Sequence, residues 1–178
     1  MGITDALNRP DDKDLLWMNR SFLHDQSYEP FYSEFDPFRN IQHAQRDRGW
    51  IIDYCHCPLE KPVHRNKDCS ADQLRERIET IVAEGGGEVW LAHVEDAVDY
   101  RYTRRAARIE TKGIGRCEIR MEGLHPAVRK RTLTLSVPSD VRGVEVDDKK
   151  HKLRKRGERA FLNVDLSVPR QLRLIQKH

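Results

Sequence analysis

Residues 49–102 constrain the fold more than any other stretch, because they read as strand, loop, helix, strand and helix in that order. Residues 49–56, Gly-Trp-Ile-Ile-Asp-Tyr-Cys-His, are bulky, aromatic and β-branched, and they are bounded by Gly49 and Pro58. Side chains alternate along a strand. Trp50, Ile52, Tyr54 and His56 therefore share one side, and Ile51, Asp53 and Cys55 the other. Apolar residues on both sides predict a strand covered on both faces, as in a parallel α/β sheet. A polar loop, residues 57–69, leads to Ser70, with Gln73 three places on as in a capping box. Leu74, Ile78, Ile81 and Val82 recur at helical spacing, and Gly85-Gly86-Gly87 stops the helix. Residues 88–92 predict a second short strand. Residues from 94 to about 108 predict a second helix, with Val94, Ala97, Val98 and Tyr102 on one face. Such alternation is the pattern of a parallel sheet or barrel.

Charge divides the chain. Residues 1–108 hold 15 Lys/Arg against 20 Asp/Glu, a net of −5, and residues 109–178 hold 17 against 9, a net of +8. The division predicts two regions with different surfaces. From Ile109 the pattern also changes. Residues 117–121, 132–137, 143–146, 160–166 and 171–175 are short strand candidates, separated by turn residues such as Pro138 and Asp147-Asp148. They predict a small antiparallel sheet or half-sandwich. Its expected inward set is Ile119, Met121, Leu133, Leu135, Val137, Val144, Val146, Phe161 and Val164. Residues 41–48 are expected to form a helix with Ile41, Ala44 and Gln45 inward.

Four cysteines among 178 residues do not make a disulfide scaffold, and a reducing compartment is the default. Residues 1–17 are polar and acidic rather than basic and apolar, so no secretory leader is expected and the cytoplasm is the default location. No run of 18 apolar residues is present to span a membrane.

Several residues could carry chemistry. His56 falls at the C-terminal end of its strand, the end where βα-loops converge in α/β barrels. There it could act as acid or base near neutral pH, or simply hydrogen-bond a loop carbonyl. Cys55, His56, Cys57, His64 and Cys69 resemble a zinc-ligand set in type. Against zinc, Cys55 and Cys57 are two apart and strand alternation aims Cys55 away from His56. Residues 31–38 are aromatic-rich with a Pro, and three aromatics around Asp36 could line a sugar-binding rim or staple a loop to the core. Residues 149–159 hold seven Lys/Arg in eleven positions. They lack the interleaved aromatics that single-strand nucleic-acid binders stack on, so no nucleic acid is expected and a solvated hairpin loop is the simpler expectation.

Residues 49–56, then Ser70-Ala-Asp-Gln-Leu, Glu88-Val-Trp and Asp99-Tyr-Arg-Tyr-Thr-Arg-Arg, resemble the last part of a polysaccharide deacetylase (NodB homology) domain. The resemblance covers residues 22–108 and, more loosely, the tail. It implies that residues 1–108 are the C-terminal part of a (β/α) barrel, followed by a β-rich appendage over residues 109–178. It implies a hydrolase removing acetyl groups from carbohydrate. In that family a divalent metal, commonly zinc, is held by one Asp and two His, a second Asp is the base, and a late-strand His protonates the leaving group. His56 would be that acid, Tyr54 would line the substrate pocket, and Asp36 would orient His56. The family's early Thr-Phe-Asp-Asp and His-x-x-x-His motifs are absent here, so the metal triad and base are missing from this chain. The expectation is a truncated deacetylase-like protein acting on an N- or O-acetylated sugar, and self-associating through its exposed sheet edges. The alternative is a non-catalytic module that binds a glycan or a protein.

Overall fold

The computed structural model describes residues 7–9, 18–23, 37–64 and 68–176. The chain divides into two compact units, Met1–Leu91 and Ala92–His178. The division falls before the helix that begins at Val94, so that helix belongs with the β-rich tail.

In the first unit, β1 (Ser21–Phe22) runs parallel to β2 (Asp53–Tyr54), and β3 (Pro58–Leu59) runs parallel to β4 (Cys69–Ser70). Each pair is a separate two-stranded sheet. Helices α1 (Pro37–Asp47) and α2 (Ala71–Glu84) pack together, and Gln45 donates to the Gly85 carbonyl at 3.2 Å. Ile41 is buried at their centre.

Among the described residues, the (β/α) barrel expected from the sequence is not present. A barrel needs eight parallel strands joined edge to edge. Here the described parallel pairings are two residues long and do not join. Only Asp53 and Tyr54 of residues 49–56 enter a ladder; Trp50 makes an isolated antiparallel bridge with Asn8. Residues 88–92 form no strand, and Trp90 and Leu91 are exposed. Apolar composition on both sides of residues 49–56 predicted a covered strand, but Ile51 and Ile52 are only half-buried. The strand is thus not buried on both faces as a parallel-sheet strand would be.

Helix α2 is specified locally. The Ser70 hydroxyl accepts from the Gln73 amide at 3.0 Å, and the Gln73 side chain accepts from the Ser70 amide at 2.8 Å. This reciprocal box satisfies two amides that the first turn leaves open. Ser70→Ala should cost about 1 kcal/mol, read as a loss of unfolding free energy in a denaturant titration. A change within error would mean that packing alone sets the start of the helix. The buried stripe of α2 differs from the expected one: Arg77 and Ile81 are buried, whereas Ile78 and Val82 are exposed. Arg77 makes a two-pronged ion pair with Asp53 of β2, Nε to Oδ2 at 2.8 Å and an Nη to Oδ1 at 3.2 Å. That pair turns the helix so that a charged residue faces inward.

The second unit opens with α3 (Val94–Ala106) and continues into β5 (Ala107–Gly113) and β6 (Arg116–Met121). Then come β7 (Thr132–Pro138), β8 (Gly143–Val146), β9 (Lys149–His151), β10 (Arg154–Arg156), β11 (Arg159–Asp165) and β12 (Arg170–Ile175). All the pairings are antiparallel. They build a five-stranded sheet, β5-β6-β12-β8-β9, and a three-stranded sheet, β10-β11-β7. Ile119, Val144, Val146 and Leu172 of the first sheet share one buried core with Leu133, Val137, Ala160, Leu162 and Val164 of the second. The unit is therefore a β-sandwich.

Two inward assignments change. Ala160, Leu162 and Val164 face the core in strict alternation, which places Phe161 on the outer face. In α3 the buried positions are Thr103 and Ala106, while Val94 and Tyr102 are exposed. Asp99 of α3 accepts from the Arg129 and Lys130 amides at 3.1 and 2.9 Å, which ties the helix to the chain entering β7. Val146 connects to Lys149 through Asp147 and Asp148, both left-handed at φ 49° and 63°. This is the two-residue hairpin geometry that matches strand twist. Asp147 accepts from the Gln171 amide at 2.9 Å and from Arg170 at 2.8 Å, and these bonds hold its carboxyl below the usual aspartate range.

Candidate functional site

Two places carry the chemistry-bearing residues. The first is the end of β2. Tyr54 is half-buried, with the Arg20 guanidinium 4.0 Å from its ring centre. His56 is exposed, and its ring meets Tyr54 edge-on at 5.5 Å. Tyr54 and His56 are thus on one side of the strand, as alternation requires. Asp36, with Phe31, Tyr32 and Phe35, lies outside the described residues.

On the opposite side of the strand the Cys55 thiol meets Cys69, which is fully buried in β4. Burial, reinforced by the hydrogen bond to Cys69, pushes the Cys55 thiol up to about 12. The Asp68 carboxylate accepts from the His64 and Val63 amides at 2.9 and 3.2 Å, which holds its carboxyl below the usual range and ties it to its own loop. Among the described residues, no group of three or more His, Cys, Asp or Glu is arranged to hold a metal ion. The Asp and two His that hold the metal in the deacetylase family have no motif counterpart in this sequence, and alternation sets Cys55 and His56 on opposite sides of their strand.

The second place is the outer face of the three-stranded sheet. Register fixes its layout: Arg154, Phe161 and Ser136 lie side by side across β10, β11 and β7, and Arg156, Arg159 and Pro138 form the next row. The row on the other side of Phe161 holds Asn163 and Thr134, whose side chains hydrogen-bond at 2.8 Å. Arg159 donates to the Ser136 hydroxyl at 3.1 Å. Phe161 is partly exposed within this set, and Ser136, Thr134, Asn163, Arg154 and Arg159 are exposed. One ring is thus framed by guanidinium, hydroxyl and amide groups on the outer face of the sheet.

The basic run over residues 149–159 is not one hairpin loop. It forms β9 at the edge of the five-stranded sheet and β10 at the edge of the three-stranded sheet, and the two do not pair with each other. Apolar alternation could not signal strands composed almost wholly of Lys and Arg. For Phe161 a signal did exist: Ala160, Leu162, Val164 and Leu166 are in phase with one another, and Phe161 is out of phase with them.

Fold and face together define a class: an antiparallel β-sandwich that presents one aromatic, hydrogen-bonding sheet face to solvent. Comparison with protein-family models, with curated proteins and with solved structures finds no match. The resemblance to polysaccharide deacetylases rests on the sequence motifs alone. Among the described residues, no helix is long and apolar enough to cross a membrane.

Proposed function

We propose that the chain is a non-catalytic glycan-binding module whose working surface is the outer face of the β10-β11-β7 sheet. The carrying observation is the placement of Phe161, displaced from the core by strand phase and surrounded by Ser136, Thr134, Asn163, Arg154 and Arg159. A pyranose has an apolar C–H face and an equatorial rim of hydroxyls. An aromatic ring takes the first by stacking, and preset hydroxyl, amide and guanidinium groups take the second. The hydrogen bonds Thr134–Asn163 and Arg159–Ser136 hold those groups in place before any ligand arrives, which limits the side-chain ordering that binding must impose. Acetyl hydrolysis is not assigned. Of the implied deacetylase machinery the described residues include His56 and Tyr54, and the family's metal-binding and base motifs have no counterpart in the sequence.

The test is affinity electrophoresis of the whole chain through gels containing a panel of neutral and acidic polysaccharides. At least one polysaccharide should retard the protein, and Phe161→Ala should weaken that retardation about tenfold, the scale of one aromatic contact. Ile114→Ala removes an apolar side chain that is 97% exposed on the other sheet's β5–β6 turn, and it should change nothing. Free migration of the wild type through every gel, or equal retardation of Phe161→Ala, would overturn the assignment.

A further inference from the structure

The two sheets of the sandwich carry their charges differently. On the outer face of the five-stranded sheet, cations sit beside carboxylates. Arg173 donates to Glu145 at 2.7 Å, Arg120 contacts Glu122 and Glu110 at 2.9 and 3.7 Å, and Lys112 contacts Glu110 and Glu118 at 2.7 and 3.7 Å. Arg108 adds a contact to Glu122 at 3.5 Å. On that face these cations are matched to carboxylates.

The outer face of the three-stranded sheet is one-signed where Phe161 sits. Arg154, Arg156 and Arg159 gather at that end, and the carboxylate on this face, Asp165, sits at the opposite end of β11. Asp165 is engaged by the Ser167 hydroxyl and amide at 2.6 and 2.7 Å, which hold its carboxyl below the usual range. The lysines of the run lie elsewhere: by register Lys150 is beside Glu145 on the other sheet's outer face, and Lys155 is beside the buried Ala160. Arg154 has no carboxylate within ion-pair distance among the described residues. The acidic side chains nearest in the chain, Asp148 and Glu158, are exposed in turns at the two ends of the run.

Positive edge strands also keep a sheet from pairing with other chains. That role accounts for β9, whose lysines lie on an edge. It does not account for Arg159, which is on the central strand of its sheet beside the ring.

Building on the glycan-binding reading, we infer that the ligand is an anionic polysaccharide, with carboxylate or sulfate groups along its length. Its acidic groups pair with Arg154 and Arg159, while one sugar ring lies on Phe161. Guanidinium groups present paired donors that match a carboxylate or a sulfate in a plane. The face favours such a polymer over a single-stranded nucleic acid. It offers one ring beside hydroxyl and amide groups, whereas strand binding of that kind uses successive rings for successive bases.

The experiment measures binding of the whole chain to polygalacturonate, to neutral dextran and to oligo-dT by titration calorimetry at two salt concentrations. Polygalacturonate should bind, and its affinity should fall at least about tenfold between roughly 50 and 200 mM salt, as counterion release from a polyanion requires. The double variant Arg154→Gln, Arg159→Gln should lose a further factor of about ten with an unchanged circular dichroism spectrum. Arg120→Gln, on the paired face, should retain wild-type affinity. Salt-insensitive binding of dextran at equal affinity would overturn this inference and leave the glycan-binding reading standing. Binding of oligo-dT tenfold or more tighter than polygalacturonate would overturn both. So would an absence of binding to all three polymers in a chain that also passes freely through every polysaccharide gel.

Discussion

Replacing Asp53 with alanine should destabilise the first unit by about 3–5 kcal/mol, the range for breaking a buried ion pair from one side. Arg77 is the partner, and its side chain is 3% exposed. Without Asp53 the guanidinium loses both prongs of its carboxylate contact while it stays out of water. Bringing Arg77 to the surface would require turning α2 and uncovering Ile81, which packs beside it. The double variant Asp53→Leu, Arg77→Met should recover most of the loss, because a well-packed apolar pair of similar volume can replace a buried ion pair at little cost. The readout is specific to this unit. Trp17, Trp50 and Trp90, the three tryptophans of the chain, all lie within Met1–Leu91, so tryptophan fluorescence in a denaturant titration reports its unfolding. A loss below about 1 kcal/mol would place this pair with ordinary surface ion pairs and refute its structural role.

Ile119→Ala should cost the sandwich about 2–5 kcal/mol, the usual range for emptying a core site of an isoleucine. Ile119 is 1% exposed on β6 and faces residues of both sheets. The control is its registered neighbour on β5, Ile109, which is 64% exposed at the end strand of the sheet. Ile109→Ala removes the same atoms from a site that water already reaches, and should stay within about 0.5 kcal/mol. Far-UV circular dichroism near the strand minimum follows the second unit, which holds most of the strand residues. Equal losses from the two variants would mean that the two sheets do not share the core described here.

How far the residues themselves announce this molecule depends on where each signal resides. The start of α2 was legible because Ser70 and Gln73 are three places apart and bond only to each other's backbone. The strands of the tail were legible because alternation is written in consecutive residues: Leu133, Leu135 and Val137 in β7, or Val144 and Val146 in β8. Phe161 has core-like composition, but its strand phase, opposite to Ala160, Leu162 and Val164, puts it on the outer face. The basic strands β9 and β10 were illegible as strands, since their pairing is supplied by β8 and β11 and not by their own composition.

The candidate face was only partly legible. The basic run stood out by composition, but nothing within residues 149–159 shows that its Arg154 comes to lie beside Phe161 and Ser136. His56 stood out by its place at a strand end, and the structure sets it against Tyr54. The chemistry expected of it needed residues that the described chain does not bring together.

By itself the sequence determined the local and periodic features: the capping box, the strand alternation of the tail, the hairpin turn at Asp147-Asp148 and the basic character of residues 109–178. Each depends on residues a few positions apart, so short-range geometry suffices. Only the tertiary structure decided that residues 49–56 join a two-residue ladder instead of a barrel, that Arg77 and not Ile78 faces inward, and that three arginines converge on one ring. Those outcomes depend on which distant segment supplies hydrogen bonds and cover. Asp53 reaches Arg77 across 24 positions, and Ser136 reaches Arg159 across 23. Composition and period carry no record of such pairings, because the free energy that selects them arises only when the segments meet.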